Sequence, residues 1–372
     1  MKIVKVEAVP LMAPADRVIA MSQAVIRAFY TTIVRITTDD GIVGIGECMV
    51  RTAPSATKSV VDDMLAPVII GKDPLDVEAI FDQLLKRERH RGHSVGLYME
   101  AISGVDTAIW DIIGKYHGLP VGKLLGGYDR KSVKAYGSSV MLTDIGAMAE
   151  RAAQLVEQGF RSLKIKIGTN RKNDVAIIRK MRDTVGDEIE LMADANSYYG
   201  GSVSDAAYVG RALEEADYLF FEEPLYPDNL EDYAALADKL DIAIASGESN
   251  FTSLNFRTML EKRCVEIVQP DVTRCGGITE SRRIADLARA FGKQYAPHTG
   301  LSSSVCVFAT LQLVAWAPNF NTYEYGLFGN PLQRITTKPI PPVVNGEVAI
   351  PQEPGIGCEL DEDCVERYRQ DR

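Results

Sequence analysis

Apolar and polar residues alternate along Val4–Leu11, and the pattern returns over Thr31–Thr37 and Ile42–Glu47. A period of two marks half-buried strands, and Asp40-Gly41 between the last two is hairpin chemistry. The period then changes. Thr57–Leu65, Pro74–Leu85 and Met99–His117 read as helices, the last with Ile102, Val105, Ile109, Trp110 and Ile113 at helical spacing. From about Lys134 short apolar runs recur, each followed by a longer amphipathic stretch. They are Ala135–Leu142, Ser162–Ile167, Glu190–Asn196, Tyr218–Pro224, Ile242–Ser249, Glu266–Val272, Gln294–Gly300 and Asn321–Tyr325. Eight strand-helix units are what a closed (β/α)8 barrel requires. An open doubly wound sheet would normally carry a Gly-rich phosphate loop after its first strand, and none is present. The tail is rich in proline, and Asn345-Gly346 predicts another hairpin. The chain thus divides into an α+β unit over 1–130, a barrel over 131–326 and a segment over 327–372, too small to fold alone and expected to pack on the first unit.

Composition narrows the function. A chain of 372 residues, 46% hydrophobic and 25% charged, holds about two domains. No apolar run approaches the ~18 residues of a membrane helix. The charged, alternating start reads as a strand and not a signal peptide. Six cysteines without CxxC spacing read as buried thiols of a cytoplasmic protein. A net charge of −10 argues against nucleic acid as a partner.

Barrel active sites lie at the C-terminal ends of the strands. There the runs deliver Lys164 and Lys166, Asp194 and Asn196, Glu222-Glu223, Glu248, Asp271, His298 and Glu324. Singly, each has a bland reading as a solvated charge, a helix cap or a core histidine. Together they fit one arrangement. Asp194, Glu222 and Glu248 would converge across the mouth, and three close carboxylates cannot all stay ionised without a cation. All-oxygen ligation with room for substrate suits Mg²⁺. Lys164 and Lys166, two apart on a strand, point the same way, so repulsion should lower the pKa of at least one and make Lys166 a base. Asp271 would fix the tautomer of His298 across the mouth. Substrate choice is expected from the segments 13–22 and 50–55 of the first unit, with Arg17, Arg51 and Thr52 as candidate contacts. The charged run Lys86–His93, with His90, Arg91 and His93, reads as a solvated helix end.

These residues resemble the enolase superfamily and, within it, the mandelate racemase subgroup. The resemblance runs over the whole chain and rests on Lys164-Ile165-Lys166, Asp194-Ala195-Asn196, Glu222-Glu223-Pro224, Gly247-Glu248, Asp271 with Gly276-Gly277, His298 and Glu324. The related muconate-lactonising branch places a lysine on the sixth strand, where this chain has Arg274 and, later, His298. The resemblance implies a modified TIM barrel, (β/α)7β, under an N-terminal α+β capping domain completed by the C-terminal segment. It implies Mg²⁺ on Asp194, Glu222 and Glu248, and Lys166 and His298 as acid/base groups on opposite faces of the substrate. Asp271 would hold His298, Lys164 and Glu324 would contact the substrate carboxylate, and Asn196 would line the site. The implied reaction is removal of the proton α to a carboxylate through an enediolate. Dehydration of an aldonate or aldarate to a 2-keto-3-deoxy acid comes first. Cycloisomerisation of a sugar lactone or anhydro-sugar acid, or racemisation of a 2-hydroxy acid, is the alternative. Partners are then a small carboxylate substrate and further copies of the chain in a homo-oligomer, with no nucleic acid or membrane. Outside the resemblance, a Schiff-base aldolase using a strand-end lysine and a non-catalytic barrel remain as readings of other classes.

Overall fold

The computed structural model describes residues 1–371. The N-terminal sheet is an antiparallel meander of β1 (Ile3–Ala20), β2 (Val25–Thr38) and β3 (Val43–Val50). Its first strand differs from expectation. Pro14, Asp16 and Arg17 break the alternation and read as loop, yet β1 continues to Ala20. The misfit residues are absorbed in a bulge, where the register jumps from Pro14 opposite Ala28 to Ile19 opposite Ile26. The chain turns only at 21–24, where the Met21 amide donates to the Ala24 carbonyl at 2.9 Å.

The helix Leu97–His117 crosses this sheet at very close range. A Cβ on Gly46 would stand 2.0 Å from the Gly104 carbonyl oxygen, so only glycine allows the approach. Ile102, Val105 and Ile109 are buried there as their spacing predicts. The helix Val77–Arg89 runs into an exposed His90, Arg91 and His93. The region around 57–65 is helical but winds into a π turn over Val60–Leu65.

Eight parallel strands follow: β4 (Ser132–Val140), β5 (Ser162–Lys166), β6 (Glu190–Asp194), β7 (Tyr218–Glu222), β8 (Ala243–Ser246), β9 (Ile267–Val268), β10 (Gln294–Tyr295) and β11 (Tyr323–Gly326). From β4 to β10 the hydrogen-bonded order is the chain order, and β11 pairs with β4. Between β10 and β11 the ladder shrinks to two bonds of 2.9 Å, Tyr295 N to Asn319 O and Asn321 N to Tyr295 O. A helix follows each of the first seven strands and none separates β11 from the tail hairpin among the described residues except one short 3₁₀ turn, the (β/α)7β pattern. Tyr136, Met192, Phe220, Ala245 and Ile267, from five of the strands, and Ala296, just past β10, cluster as a plug of buried side chains.

The tail packs in two directions. Its hairpin, β12 (Val343–Val344) with β13 (Glu347–Ala349), pairs with residues 132–134 of β4. The start of β4 precedes the residues paired to β5 and β11, and a free edge of that kind accepts another strand. Leu332, Ile335, Ile356, Leu360 and Val365 do join the N-terminal core. Among the described residues no helix is long and apolar enough to cross a membrane.

Candidate active site

Strand periodicity builds the mouth. Two positions beyond four of the plug residues, on the same face, stands an ionisable or amide group: Asp194 after Met192, Glu222 after Phe220, Gln269 after Ile267 and His298 after Ala296. Lys164 and Lys166 share a face in the same way on β5. The turns beyond these ends are strained: Asn196, Ser197 and Glu223 hold φ of 44°, 59° and 38°. Left-handed backbone at non-glycine residues concentrates where a site demands a particular direction of approach.

The side chains meet as one network. Oxygens of Asp194, Glu222 and Glu248 lie within 4.8 Å of one another. Lys164 Nζ donates to Glu222 Oε1 at 2.6 Å and lies 3.1 Å from Glu324 Oε1. Lys166 donates to Asp194 and, at 3.0 Å, to Asn196 Oδ1. On the far side His298 Nδ1 lies 2.7 Å from Asp271 Oδ2, and Nε2 lies 3.1 Å from Glu248 Oε2. Thr273, through its amide and hydroxyl, fixes the other Asp271 oxygen. Amides of Thr299 and Gly300 donate to Glu324 Oε2 at 2.9 and 3.0 Å.

A cavity of about 520 Å³ opens over this network, lined by Lys166, Asn196, Glu248, His298 and Glu324 below. Its roof comes from the N-terminal sheet: Met21, the run 24–30, Val50, Arg51 and Thr52. Arg51 and Thr52 therefore face the site. Arg17 does not. Its bulge carries it to a separate depression beside Arg151 and Arg334, where it donates to the Leu327 carbonyl at 3.3 Å. Arg274 also turns away, stacking on Phe251 at 4.8 Å.

Several contributors are not among the candidate residues named from the sequence. Gln269 donates to Glu222 Oε2 at 2.7 Å and so orients it. Glu47, from β3, accepts from Thr31 Oγ1, Ser303 N, Ser303 Oγ and Cys306 N at 2.6–2.8 Å. It thereby bolts the sheet to the loop after His298 and caps the helix Ser304–Trp316. Gly300 is part of the same loop: its φ is +40°, and a Cβ there would stand 2.2 Å from His298 Cε1. Gly300→Ala is expected to push the ring off Asp271 and lower kcat by about 10²-fold. Steady-state kinetics on a variant whose melting curve shows it folded at the assay temperature would show it, and an unchanged kcat would refute the positioning role.

Electrostatics tie the network together. For Lys164 burial alone would depress the ammonium, but Glu222 and Glu324 outweigh it and hold its pKa well above the ordinary value. Burial and the Asp194, Glu324 and Glu248 charges push Glu222 up to about 8 against the pull of Lys164. Asp194, despite burial, is pulled down to about 2 by Lys166 and Lys164. Burial opposes the charge on His298, yet Glu248, Glu324 and Asp271 raise it to about 9. Glu324 is held well below its usual range: Lys164, His298 and the two amides outweigh burial. Glu223, buried beside Glu222, leaves Oε1 without a hydrogen-bond partner. Crowded carboxylates, one pushed toward neutrality and one with an unpaired buried oxygen, fit a hard divalent cation such as Mg²⁺, with Asp194, Glu222 and Glu248 as its ligands.

The chain matches the mandelate racemase/muconate lactonizing enzyme N-terminal domain over residues 3–126 and the enolase C-terminal domain-like family over residues 147–364. It is 33% identical to an arabinonate dehydratase of Saccharolobus solfataricus, over 90% of this chain and 89% of that protein. It is 34% identical to a D-galactarolactone cycloisomerase of Agrobacterium fabrum, over 91% and 90%. A racemase of Streptomyces coelicolor A3(2), crystallised with bound magnesium, superposes with a TM-score of 0.91 at 29% identity, over 99% of this chain and 100% of that one. Capping sheet, sevenfold barrel and the acid cluster at its mouth agree with these matches from end to end, and the chain belongs to the mandelate racemase/muconate lactonizing enzyme family of the enolase superfamily.

Proposed function

We propose that this chain removes the proton α to the carboxylate of an acid sugar and dehydrates it to a 2-keto-3-deoxy acid. The observation that carries this is the opposition of Lys166 and His298 across one cavity, with the carboxylate cluster between them. Bound Mg²⁺ would supply positive charge for the substrate carboxylate. Lys166, acting as the free amine, takes the α-proton to become an ammonium, and the C–H electron pair moves into the carboxylate to give an enediolate. Lys164 places an ammonium beside the oxygens where that charge gathers. Glu324, 3.1 Å from Lys164 Nζ, holds that ammonium in place beside the substrate carboxylate. The enediolate expels the β-hydroxyl, His298 protonates the departing oxygen to water, and the enol becomes the 2-keto acid.

Cycloisomerisation is the second reading. Met21, Val25, Ile26, Phe29, Met141 and Leu301 give the cavity an apolar wall, which suits a ring with few free hydroxyls. The similarity to a galactarolactone cycloisomerase supports it. Aldonates, aldarates and their lactones assayed with semicarbazide would decide. A 2-keto product from an open-chain acid is expected. Ring opening of lactones alone would favour the second reading, and solvent exchange without product would leave racemisation. The same reading takes the protein as a homo-oligomer working in the cytoplasm, a setting its six free thiols, five of them buried, fit.

A further inference from the structure

The cavity has four cationic side chains in its wall, and they fall into two classes. Lys166 and His298 are engaged by carboxylates of the network. Arg27 and Arg51, in the roof, have no hydrogen bond, ion pair or ring contact among the described residues. Glu100 is the acid that feels Arg51, and it is already shared with Arg274 at 3.5 Å. Two guanidinium groups thus face one cavity with no anion of their own.

Their placement follows from the sheet. The β2–β3 ladder ends with Tyr30 opposite Val50, and Arg51 follows directly beyond β3. Arg27, two residues from Phe29, lies on the same face of β2, and both residues line the cavity together with Arg51. The bulge in β1 lies directly opposite Arg27, between the Pro14–Ala28 and Ile19–Ile26 pairs. Like charges set side by side repel unless an anion lies between them. The planar, five-donor fork of arginine takes a carboxylate through two parallel bonds. The substrate's reacting carboxylate belongs at the other end of the cavity, beside Lys164 and the acid cluster.

We infer that Arg27 and Arg51 bind a second carboxylate at the far end of the substrate, so that the chain acts on aldarates, acid sugars with a carboxylate at each end, in preference to aldonates. This rests on the proposed acid-sugar reading and narrows it. The alternative for these arginines is a solvated rim that touches no substrate.

The test is calorimetric binding to Mg²⁺-loaded protein carrying Lys166→Ala, which holds ligand without turning it over. A six-carbon aldarate and the aldonate of the same stereochemistry are the probes. The aldarate is expected to bind about tenfold tighter or more. Adding Arg27→Gln and Arg51→Gln should erase that preference, and Arg27→Lys with Arg51→Lys should restore part of it, with melting curves confirming the fold of each. Equal affinity for both probes, or a preference that survives the double Gln change, overturns the inference. In parallel, wild-type protein is assayed for α-proton exchange with a panel of both classes. Exchange with none of them sinks the acid-sugar reading, while the binding ratio still reports on the arginines.

Discussion

Lys166→Ala is expected to abolish exchange of the substrate α-proton with deuterated solvent and to lower kcat by about 10³-fold, whereas His298→Asn should keep the exchange and lose the net dehydration by a similar factor. The asymmetry comes from how the two groups are held. His298 faces carboxylate oxygens with both ring nitrogens, Asp271 at 2.7 Å and Glu248 at 3.1 Å. A ring between two acceptors carries two N–H groups and is placed to give a proton. Such a group belongs on the departing β-oxygen. Lys166 stands on the other wall, against Asp194 and Asn196, and is left as the group that receives the α-proton. Proton NMR in deuterated water reads exchange, and the semicarbazide assay reads product, so each variant yields two independent numbers. Retained exchange in Lys166→Ala with none in His298→Asn would reverse the roles. Loss of both readouts in both variants would mean that proton removal and hydroxide loss are one concerted step.

Much of this site is legible before any coordinates, because a barrel converts sequence period into position. Asp194 and Glu222 stand two residues past buried Met192 and Phe220, so the polar ends of short apolar runs already name the mouth. Glu248 is a harder case. It lies three residues past Ala245, beyond a Gly247 with φ of 139°, and only the departure of that glycine from strand geometry turns it to the cluster. Residues supplied by the sheet are less legible still. Arg17 and Arg27 are both arginines in irregular polar-apolar stretches, and nothing local distinguishes them. The bulge between Pro14 and Ile19 sends one away from the cavity and leaves the other facing it. Glu47 reads as an ordinary strand end, since its partners Ser303 and Cys306 lie far along the chain. The hairpin at Asn345-Gly346 shows the same division. Its turn chemistry predicts that it forms, but the edge it joins depends on how far β4 extends below the barrel.

Removing divalent metal is expected to abolish turnover, with Mg²⁺ restoring it, and Glu222→Gln should separate binding from folding. In the metal-free site Asp194, Glu222, Glu248 and Glu324 crowd around Lys164 and Lys166, and Glu222 bears the cost: burial and its neighbours push its pKa up to about 8. An amide in its place removes that cost and deletes one ligand. Without metal the variant should therefore melt no lower than wild type. Wild type should gain about 2.7 kcal/mol when free Mg²⁺ reaches a hundredfold over its Kd, and Glu222→Gln should gain little at the same concentration. Differential scanning calorimetry across a Mg²⁺ titration measures both. Equal stabilisation of the two proteins would place the ion elsewhere. Undiminished activity in EDTA, with borohydride trapping substrate on a lysine, would instead assign the site to Schiff-base chemistry, because an imine needs a neutral amine and no cation. The carboxylate cluster favours the first outcome, since Lys164 is held well above its ordinary pKa by Glu222 and Glu324 and is a poor nucleophile in that state.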